Sequence, residues 1–416
     1  MAKSNKENTI TGKNLVLGFQ HVLAMFGATV LVPILTGLDP SLALLSAGIG
    51  TLLFHLITKR IVPVFLGSSF AFIGAISLIL KQHGTGVTKT GIMAAGVVYL
   101  IIALLIKVFG FQKLKSYFPP IVTGPIIIVI GLRLSPVALD MAGYNVVSGV
   151  FHLQSLLIAS VVLITMILSA IFAKGFFKLI PILISVIVGY VFSAIVGVID
   201  YSPIAEAGWI GFTANAWTNL KTMPVFSWTS ILAIAPIAIV VFVEHIGDIT
   251  TNGAVVGKDF FKNPGIHRTL SGDGVATVVA GFLGGPVNTT YSENTGVLAV
   301  TKMYNPFIIR IAAVIAIIVS MIGKFGALIQ TIPVAVMGGI SIVLFGMIAG
   351  IGIRTLIDAK INLAHNRNLL VCSLIVVSGI AIKELSITPS LNISGLAIAA
   401  LVGIIVNKIL PQETDI

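Results

Sequence analysis

Apolar runs of about twenty residues, enough helix to cross roughly 30 Å of hydrocarbon, recur from Asn14 almost to the end of the chain. Their polarity does not alternate as barrel strands require, and in lipid only helices or closed barrels satisfy every backbone N–H and C=O. The chain is therefore read as an all-α polytopic membrane protein. Its 57% hydrophobic and 9% charged residues over 416 positions agree, since soluble domains carry about a quarter charged residues. Fourteen transmembrane segments are predicted, at roughly 14–37, 39–57, 62–80, 90–109, 117–138, 153–173, 179–199, 228–249, 267–284, 286–303, 307–327, 332–352, 367–383 and 393–410. The polar stretch MAKSNKENTITGK leads directly into a full-length apolar segment, so no cleavable leader is expected.

A net charge of +11 would suggest nucleic acid as the partner of a soluble protein. Here most of the 25 lysines and arginines fall at alternate span ends. The positive-inside rule then places both termini in the cytoplasm, and no nucleic-acid partner is expected. Trp209, Trp217 and Trp228 cluster in one long outer segment, 200–228, as aromatic anchors at a membrane surface do. The single cysteine, Cys372, excludes a disulfide framework. No HExxH or comparable metal spacing and no nucleophile–base constellation is visible, so neither catalytic residues nor a metal or cofactor is predicted.

Three anchors repeat along the chain. Phe19-Gln20-His21 matches Val243-Glu244-His245, Pro63-Val64 matches Pro286-Val287, and Pro119 with Gly124 matches Pro333 with Gly338, at offsets of 224, 223 and 214 residues. Seven spans precede each repetition, and an odd number forces the second unit to be inverted, giving a pseudo-two-fold axis in the membrane plane. Spans 3 and 10, IVPVFLGSSFAFIGA and GGPVNTTYSENTGVL, each place a proline and then small or hydroxyl residues where helix should begin. Both are read as a short extended piece followed by a half-helix. Non-helical backbone at that depth survives only where it is buried or lines a cavity, so the two half-helix N-termini should frame a polar site.

Few of the 14 carboxylates lie inside spans. Glu244 and Asp248, at i and i+4, share a face of span 8, and Glu293 opens the span 10 half-helix; intramembrane carboxylates are costly, and their default reading is functional. Asp248 could instead hydrate the inner part of its helix. Asp273, between glycines, reads as a turn or cap residue. His245 sits about 100° around the helix from Glu244 and reads equally as a helix-packing contact or a ligand. Gln20 and His21 carry the same two readings.

ENTGVLAVTK, Glu293 to Lys302, resembles the signature of the nucleobase/ascorbate transporter family, matching every fixed position, Asn294 included. The QH of span 1 and the VEH of span 8 strengthen that resemblance, and the flanking NPGIHR and NTTYSEN resemble the family's bacterial uracil permease branch. The resemblance runs from Gln20 to at least Gly346. It implies two inverted seven-span repeats, a core domain (14–109 with 228–327) moving against a gate domain (110–200 with 328–410), and substrate held between the half-helices. It further implies that Glu244 and Glu293 contact the base, that Phe70, Tyr291 and Ser292 supply backbone or aromatic contacts, and that Gln20, His21, His245 and Asn294 support the site. Phe72 is read as plain packing.

The chemistry of uracil suits such a site, because carboxylates accept from its two N–H groups and backbone amides donate to its carbonyls. Asp248 stands where some uracil-transporting relatives have His, so proton coupling would rest on Glu244 alone or on a Glu244/Asp248 pair. The expectation is a proton-coupled uracil symporter in the bacterial cytoplasmic membrane, with membrane lipid around it and a homodimer formed through the gate domains. A xanthine, urate or other purine permease of the same family is the alternative.

Overall fold

Polar caps set where the first apolar runs become helix. Thr11 accepts from the Asn14 amide at 3.2 Å and opens α1 (Gly12–Thr36), which ends where Gly37 turns left-handed (φ 87°) and closes onto the Pro33 carbonyl. Asp39 accepts from the amides of Ser41 and Leu42 at 2.8 and 3.3 Å, and Pro40 fills the first position of α2 (Pro40–Ile57). The computed structural model describes residues 9–115, 117–382, 384–388 and 391–411. The chain ends 1–8 and 412–416, on which the placement of the termini bears, lie outside the described residues, as does the last residue predicted for span 13.

Beyond α2 the chain runs extended into β1 (Leu66–Ser68), makes a 3-10 turn at Phe70–Phe72 and enters α3 (Ile73–Phe109), which breaks at Gly84 (φ 77°, ψ 180°). Next come α4 (Pro120–Met141), α5 (Leu153–Phe172) and α6 (Pro181–Ile195). The segment 200–228 carries two short helices, Ser202–Glu206 and Ala214–Lys221, and exposes its three tryptophans. α7 (Trp228–Ile234) continues through a 3-10 turn at Ala235–Ile237, where Pro236 removes a donor from the α ladder, into α8 (Ala238–Val256). After α9 (Ile266–Leu283) come β2 (Asn288–Thr290), α10 (Ser292–Thr301), α11 (Pro306–Ser320), α12 (Gly323–Gln330), α13 (Val334–Asp358) and α14 (Asn366–Ala381). A hairpin of β3 (Glu384–Thr388) with β4 (Leu391–Ser394) leads to α15 (Gly395–Ile409). Among the described residues, 7 helical runs are long and apolar enough to cross a membrane, and four shorter apolar helices accompany them.

Three helices differ in extent from the predicted spans. Span 8 continues as helix past 249 to Val256, where Gly257 (φ 72°) stops it, and span 12 runs past 352 to Asp358. Hydropathy marks where hydrocarbon ends, whereas the backbone ladder continues until a residue breaks it. Span 11, predicted unbroken over 307–327, stops at Ser320. The Met321 and Ile322 amides fold back onto Ile318 and Val319, Ile322 forms a bridge with Ile210, and α12 starts anew.

Close helix approach in lipid depends on small residues, because lipid tails remove the hydrophobic drive between helices. Between α3 and α9, a Cβ on Gly96 would stand 2.7 Å from the Gly274 carbonyl, and one on Gly274 would stand 3.0 Å from the Gly96 carbonyl. Gly124 of α4 and Gly352 of α13 oppose each other's carbonyls in the same reciprocal way, at 3.0 and 2.6 Å. One charge inside this packing went unnoticed in the sequence. Lys89 of α3 is 1% exposed, and its ammonium donates to the carbonyls of Thr222 at 2.8 Å and Phe282 at 2.9 Å. Phe282 lies in the last turn of α9, where free carbonyls and the helix dipole favour a cation.

Candidate functional site

The extended pieces predicted in spans 3 and 10 meet each other. β1 pairs antiparallel with β2, Leu66 opposite Thr290, Gly67 opposite Thr289 and Ser68 opposite Asn288, and all six residues are buried. Ser69 N–H to Val287 (2.9 Å) and Tyr291 N–H to Phe65 (3.1 Å) extend the ladder, so backbone that could not form helix is satisfied across the crossing. Neighbouring helices complete it. The Leu66 amide donates to Thr51 Oγ1 at 2.9 Å, and Asn288 donates from Nδ2 to the Ser46 carbonyl at 3.1 Å.

Tyr291 turns inward at this crossing. It is 5% exposed, its hydroxyl donates to the Ser68 carbonyl at 2.8 Å, and its ring covers Gly67. A Cβ on Gly67 would enter that ring and come within 2.7 Å of Thr29 Oγ1. Gly67→Ala is therefore expected to destabilise the protein by about 1–3 kcal/mol through overpacking. Thermal unfolding in detergent checks this, and an unshifted midpoint would show that the crossing tolerates separation.

α10 starts immediately after β2, with Ser292 and Glu293 in its first turn, where the helix dipole favours an anion. α8 passes beside it. Asp248 Oδ2 accepts from the Thr290 hydroxyl at 2.8 Å and Oδ1 accepts from the Ser292 hydroxyl, so both oxygens hold the strand-to-helix junction. Glu244, one turn earlier, is solvent-accessible, and among the described residues no hydrogen-bond donor reaches its carboxylate. Glu293 and Phe70 are half-buried, Ser292 is exposed, and Phe72 is fully buried in the apolar core.

His245 points away from this group, as its angular offset implies. Nδ1 lies 2.8 Å from Asp273 Oδ2 and Nε2 lies 2.9 Å from Thr269 Oγ1, with His245 and Asp273 at 0% and 1% exposure. Asp273 is therefore no turn or cap residue. It lies well inside α9, and its glycine neighbours serve close helix contact. On span 1, the Asn294 amide donates to the His21 carbonyl at 3.1 Å and lies 3.1 Å from His21 Nδ1, both residues being buried. Gln20 Oε1 is buried without a partner among the described residues, an acceptor left open beside them.

The structure thus brings Glu244, Asp248, Ser292 and Glu293 together around the start of α10, with Tyr291 and Asn294 packed beneath. Sequence reading missed Thr290 as a partner of Asp248, Asp273 as the partner of His245, and Asn252, which the i+8 spacing from Glu244 could have flagged. A cavity of about 260 Å³ lies elsewhere, between the end of α4 and the starts of α5 and α13, lined by Asp140, His152 and Pro333 among others. No group of three or more His, Cys, Asp or Glu suited to a metal ion occurs among the described residues.

Comparison with known proteins gives a consistent picture. A permease family model, Xan_ur_permease, matches residues 12–387. The chain is 46% identical over 400 residues to the uracil permease of Bacillus subtilis (strain 168), covering 95% of this chain and 92% of that one. It is 44% identical over 407 residues to the uracil permease of Bacillus caldolyticus (98% and 94%) and 41% identical over 393 residues to that of Escherichia coli (strain K12) (94% and 90%). Among solved structures, the murine Slc26a9 anion transporter in its inward-facing state is similar at a TM-score of 0.70 with 14% identity, covering 96% of this chain and 69% of that one. The transmembrane domain of the cyanobacterial bicarbonate transporter BicA gives 0.65 and 17% (95% and 96%). At such identities these two share the fold alone.

Proposed function

The chain belongs to the Xan_ur_permease family, the nucleobase/ascorbate transporters, and on that premise we propose that it imports uracil with a proton across the bacterial cytoplasmic membrane by alternating access. It is a multi-pass transporter and not an enzyme, its relatives being permeases. The observation that carries the uracil site is Glu244, an exposed residue whose carboxylate meets no donor among the described residues, one turn from the junction where β1, β2 and α10 meet. Glu244 and Glu293 accept from the N–H groups of the base, and the first amides of α10 face its carbonyls. A neutral base brings no charge to balance a carboxylate that it covers on binding, so a proton on Glu244 removes that cost and travels with the substrate. Asp248, held by Thr290 and Ser292, keeps the half-helix in place beside it.

Two inverted seven-span repeats, fourteen spans in all, organise this site in our reading. The antiparallel crossing of β1 and β2 and the matched glycine contacts of α4 with α13 support them. A core domain (14–109 and 228–327) carries the base past a gate domain (110–200 and 328–410), which also forms the homodimer contact, and both termini are cytoplasmic. Radiolabelled uracil uptake into proteoliposomes is expected to rise with an inward proton gradient and to be competed by unlabelled uracil but not by xanthine or urate. Uptake indifferent to the gradient would refute proton coupling, and competition by a purine would reassign the substrate.

A further inference from the structure

Asn252 lies two turns beyond Glu244 and one beyond Asp248 on the same face of α8, and it is completely buried. Its Nδ2 donates to the Pro63 carbonyl at 3.2 Å and to the Thr295 hydroxyl at 3.0 Å, while its Oδ1 has no partner among the described residues. Pro63 belongs to the extended lead into β1, and Thr295 stands in α10 two residues after Glu293. One amide group thus fastens both crossing segments to the helix that bears Glu244. A buried acceptor left unused costs stability, so the two donor contacts of the same amide have to offset that cost.

We propose that Asn252 is a positioning residue for the substrate site, holding spans 3, 8 and 10 in a fixed relation so that Glu244, Glu293 and the first amides of α10 keep the spacing a planar base requires. The proposal rests on the reading of Glu244 and Glu293 as base contacts. Two substitutions separate the two links. In Asn252→Asp the carboxylate can still accept from the Thr295 hydroxyl, but it faces the Pro63 carbonyl with no proton to give. Thr295→Val keeps the Pro63 link and removes the other, and Thr295→Ser restores it.

Asn252→Asp is expected to raise the uracil KM about tenfold while the maximal rate stays within about threefold, because misplaced binding groups weaken binding before they slow movement. Thr295→Val should shift KM in the same direction, and Thr295→Ser should return it to the wild-type value. Hydrogen–deuterium exchange on the purified protein should rise over 62–68 and 288–296 in Asn252→Asp and Thr295→Val and stay unchanged elsewhere. A purely stabilising role would lower yield and melting temperature but leave KM alone. An unchanged KM in either variant overturns the proposal, whatever the exchange. If the wild-type protein takes up no uracil, the uracil reading falls, and the exchange pattern alone decides whether Asn252 positions these segments.

Discussion

Glu244→Gln is expected to reduce gradient-driven uracil accumulation by about two orders of magnitude, the loss anticipated when a carboxylate with the proposed double role of binding and titrating is replaced. The amide has the shape of the acid but keeps one acceptor and adds two donors, which oppose an N–H of the base. It also cannot take up a proton. These losses separate experimentally. Counterflow of labelled against unlabelled uracil needs binding and movement but no net proton transfer, so it should persist in Glu244→Gln at reduced affinity while accumulation disappears. Asp248→Asn should be milder, because its side chain serves the Thr290 and Ser292 hydroxyls and the asparagine oxygen still accepts one of them. A Glu244→Gln protein that accumulates uracil normally under a proton gradient would remove Glu244 from the coupling step and shift attention to Asp248.

The carboxylates proposed for the site were legible because composition makes them rare. In a chain with 9% charged residues, carboxylates at 244, 248 and 293 within apolar segments stand out at once. Proline followed by hydroxyl residues in spans 3 and 10 marked the failure of helix there, and β1 and β2 occupy those places. What the sequence hid was partnership. Periodicity relates residues within one helix and says nothing about which face meets which, so Asp273 looked like a turn residue until α9 brought it to His245. Lys89 escaped for the same reason, since the Thr222 and Phe282 carbonyls that hold it lie far along the chain. Tyr291 is a further case, since its motif position gave no sign that its hydroxyl donates to the Ser68 carbonyl beneath the strands. Helix extents were hidden too, since the helix of span 8 runs on to Gly257 and that of span 11 breaks at the Met321–Ile322 turn inside an apolar run.

The buried His245–Asp273 pair carries the second large expectation. Removing one member of a buried hydrogen-bonded pair leaves the other desolvated and unanswered, a loss of about 3–5 kcal/mol. Asp273→Leu should therefore lower thermal stability in detergent sharply, because His245 Nδ1 loses its partner in a space without water. His245→Leu should do the same by stranding the Asp273 carboxylate, although Thr269 keeps its hydrogen bond to the Ile266 carbonyl at 3.0 Å. The double variant His245→Leu/Asp273→Leu fills a similar volume with apolar atoms and strands neither partner, so it should recover most of the lost stability. Its uracil uptake then separates two roles. If the pair only packs α8 against α9, the recovered double variant transports at near wild-type rates with an unchanged uracil KM. If it also sets the rotation of α8 that aims Glu244, stability returns while KM stays high. Recovery of neither stability nor transport would mean that the leucines are not a packing equivalent, and single variants as stable as the wild type would contradict the burial that makes this pair costly to break.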